Sequence, residues 1–169
     1  AEWIAGGWQI SSMVYHDTGY YLTPSWTGPD PTGTRFSSSR TPAQVTIRPD
    51  ILRDPNFAPS ERTTARWFDP SAFAAPAAGR FGTSAKGVLV GPGSSVLHAG
   101  IYKSFQLFEN VKLRWEWTAT NALNHPNWSN PETNITSLGS VAVIRGTGGV
   151  TRYDASGPRN LRMGLRLEW

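Results

Sequence analysis

The sequence predicts an all-β fold of antiparallel, up-and-down strands, and three observations support this class. Apolar residues occupy every second position in several stretches, which is the period of a strand with two unlike faces. Aromatic residues make up 12% of the 169-residue chain, including 8 Trp and 5 Tyr, and strands favour these side chains. The 17 Gly and 13 Pro favour long, turn-rich loops between strands. We therefore expect about four long strands and two very long loops.

The first strand is predicted at about residues 4–23, and the first long loop follows at 24–94. The contrast between its two sides is weaker than at the C-terminus, with Trp8, Ile10, Ser12 and Val14 on one side and Gln9, Ser11, Met13 and Tyr15 on the other. Pro24 ends it, because proline cannot donate a hydrogen bond to a ladder. Within the loop, the segment 59–68 favours a helical turn that Ser60 can cap.

The second and third strands are predicted at about 95–107 and 111–120, joined by a tight turn at 108–110. The third strand alternates cleanly, so it has one apolar and one polar face. Its apolar positions are Val111, Leu113, Trp115, Trp117 and Ala119, and its polar positions are Lys112, Arg114, Glu116 and Thr118. A hairpin with so short a connection is the expected arrangement. The second long loop follows at 121–158.

The fourth strand is predicted at 159–169 and shows the clearest alternation in the chain. Its apolar positions are Leu161, Met163, Leu165, Leu167 and Trp169, and Arg162, Gly164, Arg166 and Glu168 lie between them. Such a strand suits a transmembrane β-barrel, whose outside meets lipid and whose lumen meets water. An edge strand of a soluble sandwich alternates in the same way, so this segment alone leaves both interpretations open.

The order of the connections, long then short then long, favours the barrel. It places both long loops at one end of the strands, which is the asymmetry of an outer-membrane barrel. Tryptophans of the strands then suit the membrane interfaces, and the charged positions suit the lumen. Four strands cannot close a barrel, which needs about eight. Residues 1–169 are therefore predicted to be a single barrel segment or an open sheet, completed through its edge strands by the rest of a barrel or by identical chains.

A series of motifs carries a resemblance to a known family. In order, these are GGWQIS, IRPD, RWFDPSAF, GRFGT, GPG and NALNHPNW, followed by the alternating terminal strand. From Gly7 to Trp169 the chain resembles the C-terminal end of Oar-like TonB-dependent outer-membrane receptors, which carry a carboxypeptidase-regulatory-like domain. The resemblance implies a bacterial outer-membrane location, a plugged barrel of about 22 strands and a role in ligand uptake. It also implies that Leu165, Leu167 and Trp169 match a signal read by the barrel-assembly machinery, with Trp169 where Phe is usual.

Several functional classes find no support in the sequence. No apolar run approaches the roughly 18 residues of a membrane helix. The chain has no Cys, and its net charge of +4 includes no concentrated basic block, so neither thiolate metal sites nor nucleic-acid binding is expected. His16, His98 and His125 are far apart and show no metal-ligand spacing. We expect a non-enzymatic protein without a catalytic, cofactor or metal site.

The aspartates that adjoin prolines are interpreted as turn residues, with a Ca²⁺ site among them as the alternative. These are Asp30, Asp50, Asp54 and Asp69. In the loops, Trp26, Trp67 and Trp128 are candidates for contacts with a sugar or peptide, with packing within the loops as the other interpretation.

Two alternative functions remain open at this level. The chain starts at Ala1 without Met or a signal peptide, which suits a processed structural subunit. Such a subunit could assemble through open β edges into an extracellular filament or surface layer, with protein instead of lipid on its apolar faces. The third hypothesis is a carbohydrate-binding module that uses the loop tryptophans.

Overall fold

The computed structural model describes residues 5–34, 44–147 and 157–169. It divides into two compact units. The sheet unit comprises Ala1–Thr18, Gly93–Trp128 and Thr147–Trp169, and the loop unit comprises Gly19–Pro92 and Ser129–Gly146. In chain order the strands are β1 (Trp8–Asp17), β2 (Tyr21–Leu22), β3 (Trp26–Pro29), β4 (Gln44–Ile47), β5 (Asp50–Ile51), β6 (Phe73–Ala74), β7 (Leu89–Val90), β8 (Ser94–Phe108), β9 (Val111–Thr120) and β10 (Asn160–Glu168).

The sheet unit is built around one four-stranded antiparallel sheet of order β1-β8-β9-β10. The four long strands lie in the sheet in the same order in which they follow one another along the chain, so they run up and down. The predicted fold class is confirmed: the protein is all-β and antiparallel, with four long strands and two very long connections. The sheet is open, and β1 and β10 are its edges.

The first long strand is shorter than the predicted span of 4–23. Residue 4 lies outside the described residues, and β1 ends at Asp17. Gly19 has a φ of +99°, and a side chain there would come within 2.7 Å of the Pro92 carbonyl oxygen, so the chain turns away at a position that suits only glycine. Beyond it, β2 pairs with β7 in a separate ladder.

The loop unit has its own hydrophobic core. Its buried residues are Phe68, Phe73, Leu89 and Ala142, with Leu22, Ile51, Trp67, Val88, Ile135 and Val141 packed around them. The rings of Phe68 and Phe73 meet edge to face, with centroids 6.3 Å apart. Because Ala142 comes from the second long connection and the other three from the first, the core joins both.

Backbone hydrogen bonds also tie the two connections together within the loop unit. The amide of Trp67 donates to the Ala142 carbonyl at 2.9 Å, and the amide of Ile144 donates to Thr64 at 2.7 Å. Ser25 and the segment 133–135 exchange two further bonds, of 3.1 and 2.9 Å. The two long connections therefore fold as one unit.

The helical turn expected near 59–68 is reduced to a single 3-10 turn, Pro59–Glu61. Ser60 lies inside the turn and does not cap it; the Ala58 amide donates to the Glu61 carboxylate at 3.2 Å instead. A hairpin-like pair of bonds between Thr63 and Arg66 follows directly and prevents a longer helix. Among the residues that the structure describes, no helix has the length and apolarity to cross a membrane.

Candidate functional site

One face of the four-stranded sheet is almost entirely apolar. The register places Ile101 opposite both Ile10 and Trp117, and Met163 opposite Trp117, so these side chains share a face. Its apolar residues are Trp8, Ile10, Val14, Leu97, Ala99, Ile101, Phe105, Leu113, Trp115, Trp117, Ala119, Leu161, Met163, Leu165 and Leu167. Ser12, His16, Ser95 and Lys103 share this face. Ile10 is 76% exposed and Met163 is 75% exposed. An apolar patch of this extent requires lipid or protein against it.

Lys103 is the one Lys, Arg, Asp or Glu residue among the positions that the register pairs on the apolar face. It lies opposite Trp8 on one side and Trp115 on the other, yet it is only 3% exposed. Its ammonium group is 5.0 Å from the centre of the Trp8 ring and 5.2 Å from that of Phe105, and it donates to the Gly6 carbonyl. Aromatic faces and a carbonyl oxygen thus replace water around the cation.

The opposite face is polar and carries a connected network. The Arg114 and Glu116 side chains form an ion pair of 2.9 Å, and the Arg114 guanidinium lies 4.9 Å from the centre of the Tyr102 ring. The Ser11 hydroxyl lies 3.4 Å from the Tyr102 hydroxyl. This polar face also presents Gln9, Ser104, Lys112, Thr118, Arg162, Arg166 and Glu168.

The polar face is hollow at the end of the sheet from which the long connections leave. A cavity of about 520 Å³ is lined there by hydroxyl, amide and imidazole groups and one guanidinium, together with the apolar residues Met13, Ala99 and Ala119. Its lining includes Ser11, His98, Tyr102, Thr118, Asn160 and Arg162. Tyr102 closes over Gly100, where an added side chain would come within 2.7 Å of the tyrosine oxygen. The arrangement can hold water or a hydrophilic solute by hydrogen bonding.

In the loop unit, two of the sequence motifs that carry the family resemblance, IRPD and GRFGT, contact each other through a buried carboxylate. Asp50 of IRPD accepts bonds of 2.6 and 2.7 Å from Arg80 of GRFGT and further bonds from the amides of Thr83 and Ala77, at 3.0 and 3.2 Å. The Arg80 bonds, helped by the two amides, outweigh burial and hold the pKa of Asp50 below its usual range. The carboxylate therefore serves as a structural tie.

The comparisons with known proteins agree with the two-faced sheet. A family model described as an outer membrane beta barrel domain matches residues 1–162. The chain belongs to this outer-membrane β-barrel family. Comparisons with curated proteins and with solved structures find no match. Family membership gives the chain an outer-membrane location.

The three residues of the predicted barrel-assembly signal lie at the edge of the barrel sheet. Leu165 and Leu167 are on the apolar face of β10, 71% and 50% exposed. Trp169 follows the end of the strand and is 90% exposed. The structure thus places them in a row on the open edge strand, and their recognition by assembly machinery stays a prediction.

The three loop tryptophans belong to two different units of the chain. Trp26 and Trp67 belong to the loop unit, whereas Trp128 belongs to the sheet unit. The Trp67 indole donates to the Val90 carbonyl at 2.8 Å, and the Trp26 ring covers Gly28. Both rings pack within the loop unit, and ligand contact by any of the three stays a prediction.

No metal site emerges from the aspartates of the loops. Over residues 5–34, 44–147 and 157–169, no three His, Asp or Glu side chains lie close enough to hold an ion. Asp69 accepts from the amide and hydroxyl of Ser71 and pairs with Arg53 at 2.7 Å. Burial raises the pKa of Asp69, but these bonds outweigh it and lower the pKa overall. Asp54 similarly accepts from Asn56.

Sequence reasoning missed an asparagine cluster in NALNHPNW, where β9 ends. Buried Asn121 donates to the carbonyls of His125 and Gly157, both at 2.9 Å, and accepts from the His125 amide at 3.1 Å. The Asn124 side chain accepts from the Arg159 amide at 3.0 Å. Asn127, also buried, accepts from the amide of Ser95 at 2.7 Å. This asparagine clamp, Asn121, Asn124 and Asn127, joins the ends of β8, β9 and β10.

Proposed function

We propose that the chain forms the last four strands and the outer loops of a TonB-dependent outer-membrane receptor of the Oar-like type. In this role it contributes to uptake of a ligand across the outer membrane and performs no catalysis. The observation that carries the proposal is the layout of the connections. The two long ones leave and re-enter the sheet at one end, and Glu109 and Asn110 alone form the turn at the other.

The loop unit, in which the two long connections fold together, favours a receptor over other kinds of outer-membrane barrel. The two long connections, within Gly19–Pro92 and Ser129–Gly146, form a unit with a hydrophobic core of its own. Elaborate outer loops on a rigid sheet are the usual location of binding residues. A hydroxyl-rich lumen cavity is consistent with passage of a hydrophilic ligand.

The two open edges of the sheet indicate that the chain pairs with further β-strands. Among the described strands, β1 and β10 each have a neighbour on one side only, and an edge strand within a membrane must be paired by another strand. We propose that further strands of the same barrel pair with both edges and that lipid covers the apolar face.

The proposal is tested in outer membranes isolated from the source cells. Tryptic peptides from β9 are located by mass spectrometry, and native complexes are sized by light scattering with and without detergent. We expect the peptides in a membrane-embedded polypeptide much longer than this chain, crosslinked in the cell to an energy-coupling protein of the TonB type. A detergent-independent polypeptide of this size would contradict the proposal.

The open edges also favour a second candidate, a structural subunit that assembles through β1–β10 contacts between copies. Two unlike edges can join head to tail, and a contact that does not close produces a filament. The same sizing experiment separates the two candidates, because this one requires a large detergent-independent assembly of a single polypeptide.

A further inference from the structure

The open edge strand β10 carries two arginines on its polar face, Arg162 and Arg166. In the ladder with β9, Arg162 lies opposite Thr118 and Arg166 lies opposite Arg114. Like charges directly opposite each other repel. Neither β10 arginine forms an ion pair with a described residue.

The acidic residues of β9 and β10 are already matched to other cations. Glu116 pairs with Arg114 at 2.9 Å, and Glu168 lies directly opposite Lys112. Gly164, between the two β10 arginines, contributes no side chain. The polar face of these two strands therefore holds four cations and two carboxylates. The two arginines that have no carboxylate opposite them in the ladder and form no ion pair with a described residue are both on the open edge strand.

All nine residues of β10 are exposed, and the strand has a neighbour on one side only. We propose that the strand completing this edge is an antiparallel strand presenting carboxylates opposite Arg162 and Arg166. These two positions are four residues apart and face the lumen. The inference rests on the proposed function, in which further strands complete the barrel, and adds the chemistry of the strand that meets β10.

A second copy of this chain fits the edge less well. Head-to-tail assembly would place β1 of one copy against β10 of the next. On the polar face of the sheet, β1 presents Gln9, Ser11, Met13, Tyr15 and Asp17. They include a single carboxylate, at the end of the strand, so any register leaves at least one of the two arginines without an acidic neighbour.

The chain contains no cysteine, which permits a clean crosslinking experiment. A Met163→Cys variant of the full chain is folded in detergent micelles and mixed with synthetic strand peptides that carry one cysteine opposite position 163. The peptides alternate apolar and polar residues and differ only opposite Arg162 and Arg166, where they have Glu, Gln or Lys. The disulfide yield at equilibrium in a thiol buffer measures pairing.

We expect the Glu peptide to pair roughly threefold or more better than the Gln peptide, and the Lys peptide to pair worst. The advantage of Glu should disappear in the Arg162→Gln/Arg166→Gln variant and at about 0.5 M salt, which screens exposed charges. An Arg159→Gln variant, which loses one charge just before β10, serves as the matched control and should keep the advantage.

Equal pairing of the Glu and Gln peptides overturns this inference and leaves edge completion intact. If no peptide pairs although an Ala119→Cys/Leu161→Cys crosslink shows that β9 and β10 are folded, edge completion itself fails. A photo-crosslinker at position 163 in the intact membrane protein gives an independent answer. It must capture a strand with the two carboxylates, and capture of one without them overturns the inference.

Discussion

At the scale of single residues, Asp50 shows how a long loop is held in one conformation. Its carboxylate receives four hydrogen bonds from Arg80, Thr83 and Ala77, which lie about 30 positions later in the chain. A charged group so satisfied can remain buried without a large cost. The Asp50–Arg80 pair connects the motifs IRPD and GRFGT, which are separate in the sequence.

Replacing Asp50 by Asn should destabilise the loop unit by about 2 kcal/mol, because a buried charged acceptor is lost and Arg80 keeps its charge. Hydrogen exchange of the Trp67 amide, which donates to the Ala142 carbonyl inside this unit, measures the change. Asp54→Asn is the matched control, since Asp54 bonds only to nearby Asn56, and it should have a smaller effect. An equal loss of stability in the two variants would show that the hydrogen bonds of Asp50 do not stabilise the loop unit more than those of Asp54.

The same contacts predict how the loop unit responds to acid. The pKa values of Asp50 and Asp69 are lowered in the folded protein, so their contribution is fully present above the ordinary carboxyl pKa of about 4. It is lost as the pH falls through the folded-state values. The Asp50→Asn variant should therefore lose less stability than the natural protein between pH 4 and 2.

At the scale of elements, the asparagine clamp determines where β10 joins the sheet. A tight turn sets the register between β8 and β9, but a connection from residue 121 to 159 sets none between β9 and β10. Asn121 and Asn124 instead bond to Gly157 and Arg159, directly before the strand begins. The clamp thus replaces a turn as the source of register.

An Asn121→Ala variant should destabilise the β9–β10 pairing by about 2–3 kcal/mol. It removes three hydrogen bonds to the backbone of His125 and Gly157 and places alanine at a φ of 48°. Hydrogen exchange of the amides at 160–168 measures the effect. Asn121→Gly removes the same bonds but tolerates the positive φ, so it should be less severe. Unchanged exchange in both variants would refute the role of the clamp.

The long strands could be predicted from the sequence because alternation is a local signal. Val111–Thr120 lies where the pattern placed it, and β10 differs from the predicted 159–169 by one residue at each end. The loop unit could not be predicted, because its core joins Phe68, Leu89 and Ala142 without any period. Lys103 escaped notice for a related reason: its partners are on β1 and at Gly6, almost a hundred positions away.

At the scale of the whole molecule, the four-stranded sheet has two faces of opposite character, and the proposed function assigns one to lipid and the other to a barrel lumen. The apolar face has the exposure and composition of a lipid contact, and the polar face has the charge network and cavity of a lumen. Residues Trp8, Lys103 and Trp115 form one row across this wall, as expected where the wall crosses an interface.

The most direct test of this account is a spin-label scan of β10 in a lipid bilayer. Each of the nine residues Asn160–Glu168 is replaced in turn by a labelled cysteine in the cysteine-free chain, and accessibility to oxygen and to a water-soluble nickel complex is measured. The account predicts alternation with period two: oxygen reaches positions 161, 163, 165 and 167, and nickel reaches 162, 164, 166 and 168. Equal access of nickel to both sets would contradict a wall between lipid and lumen.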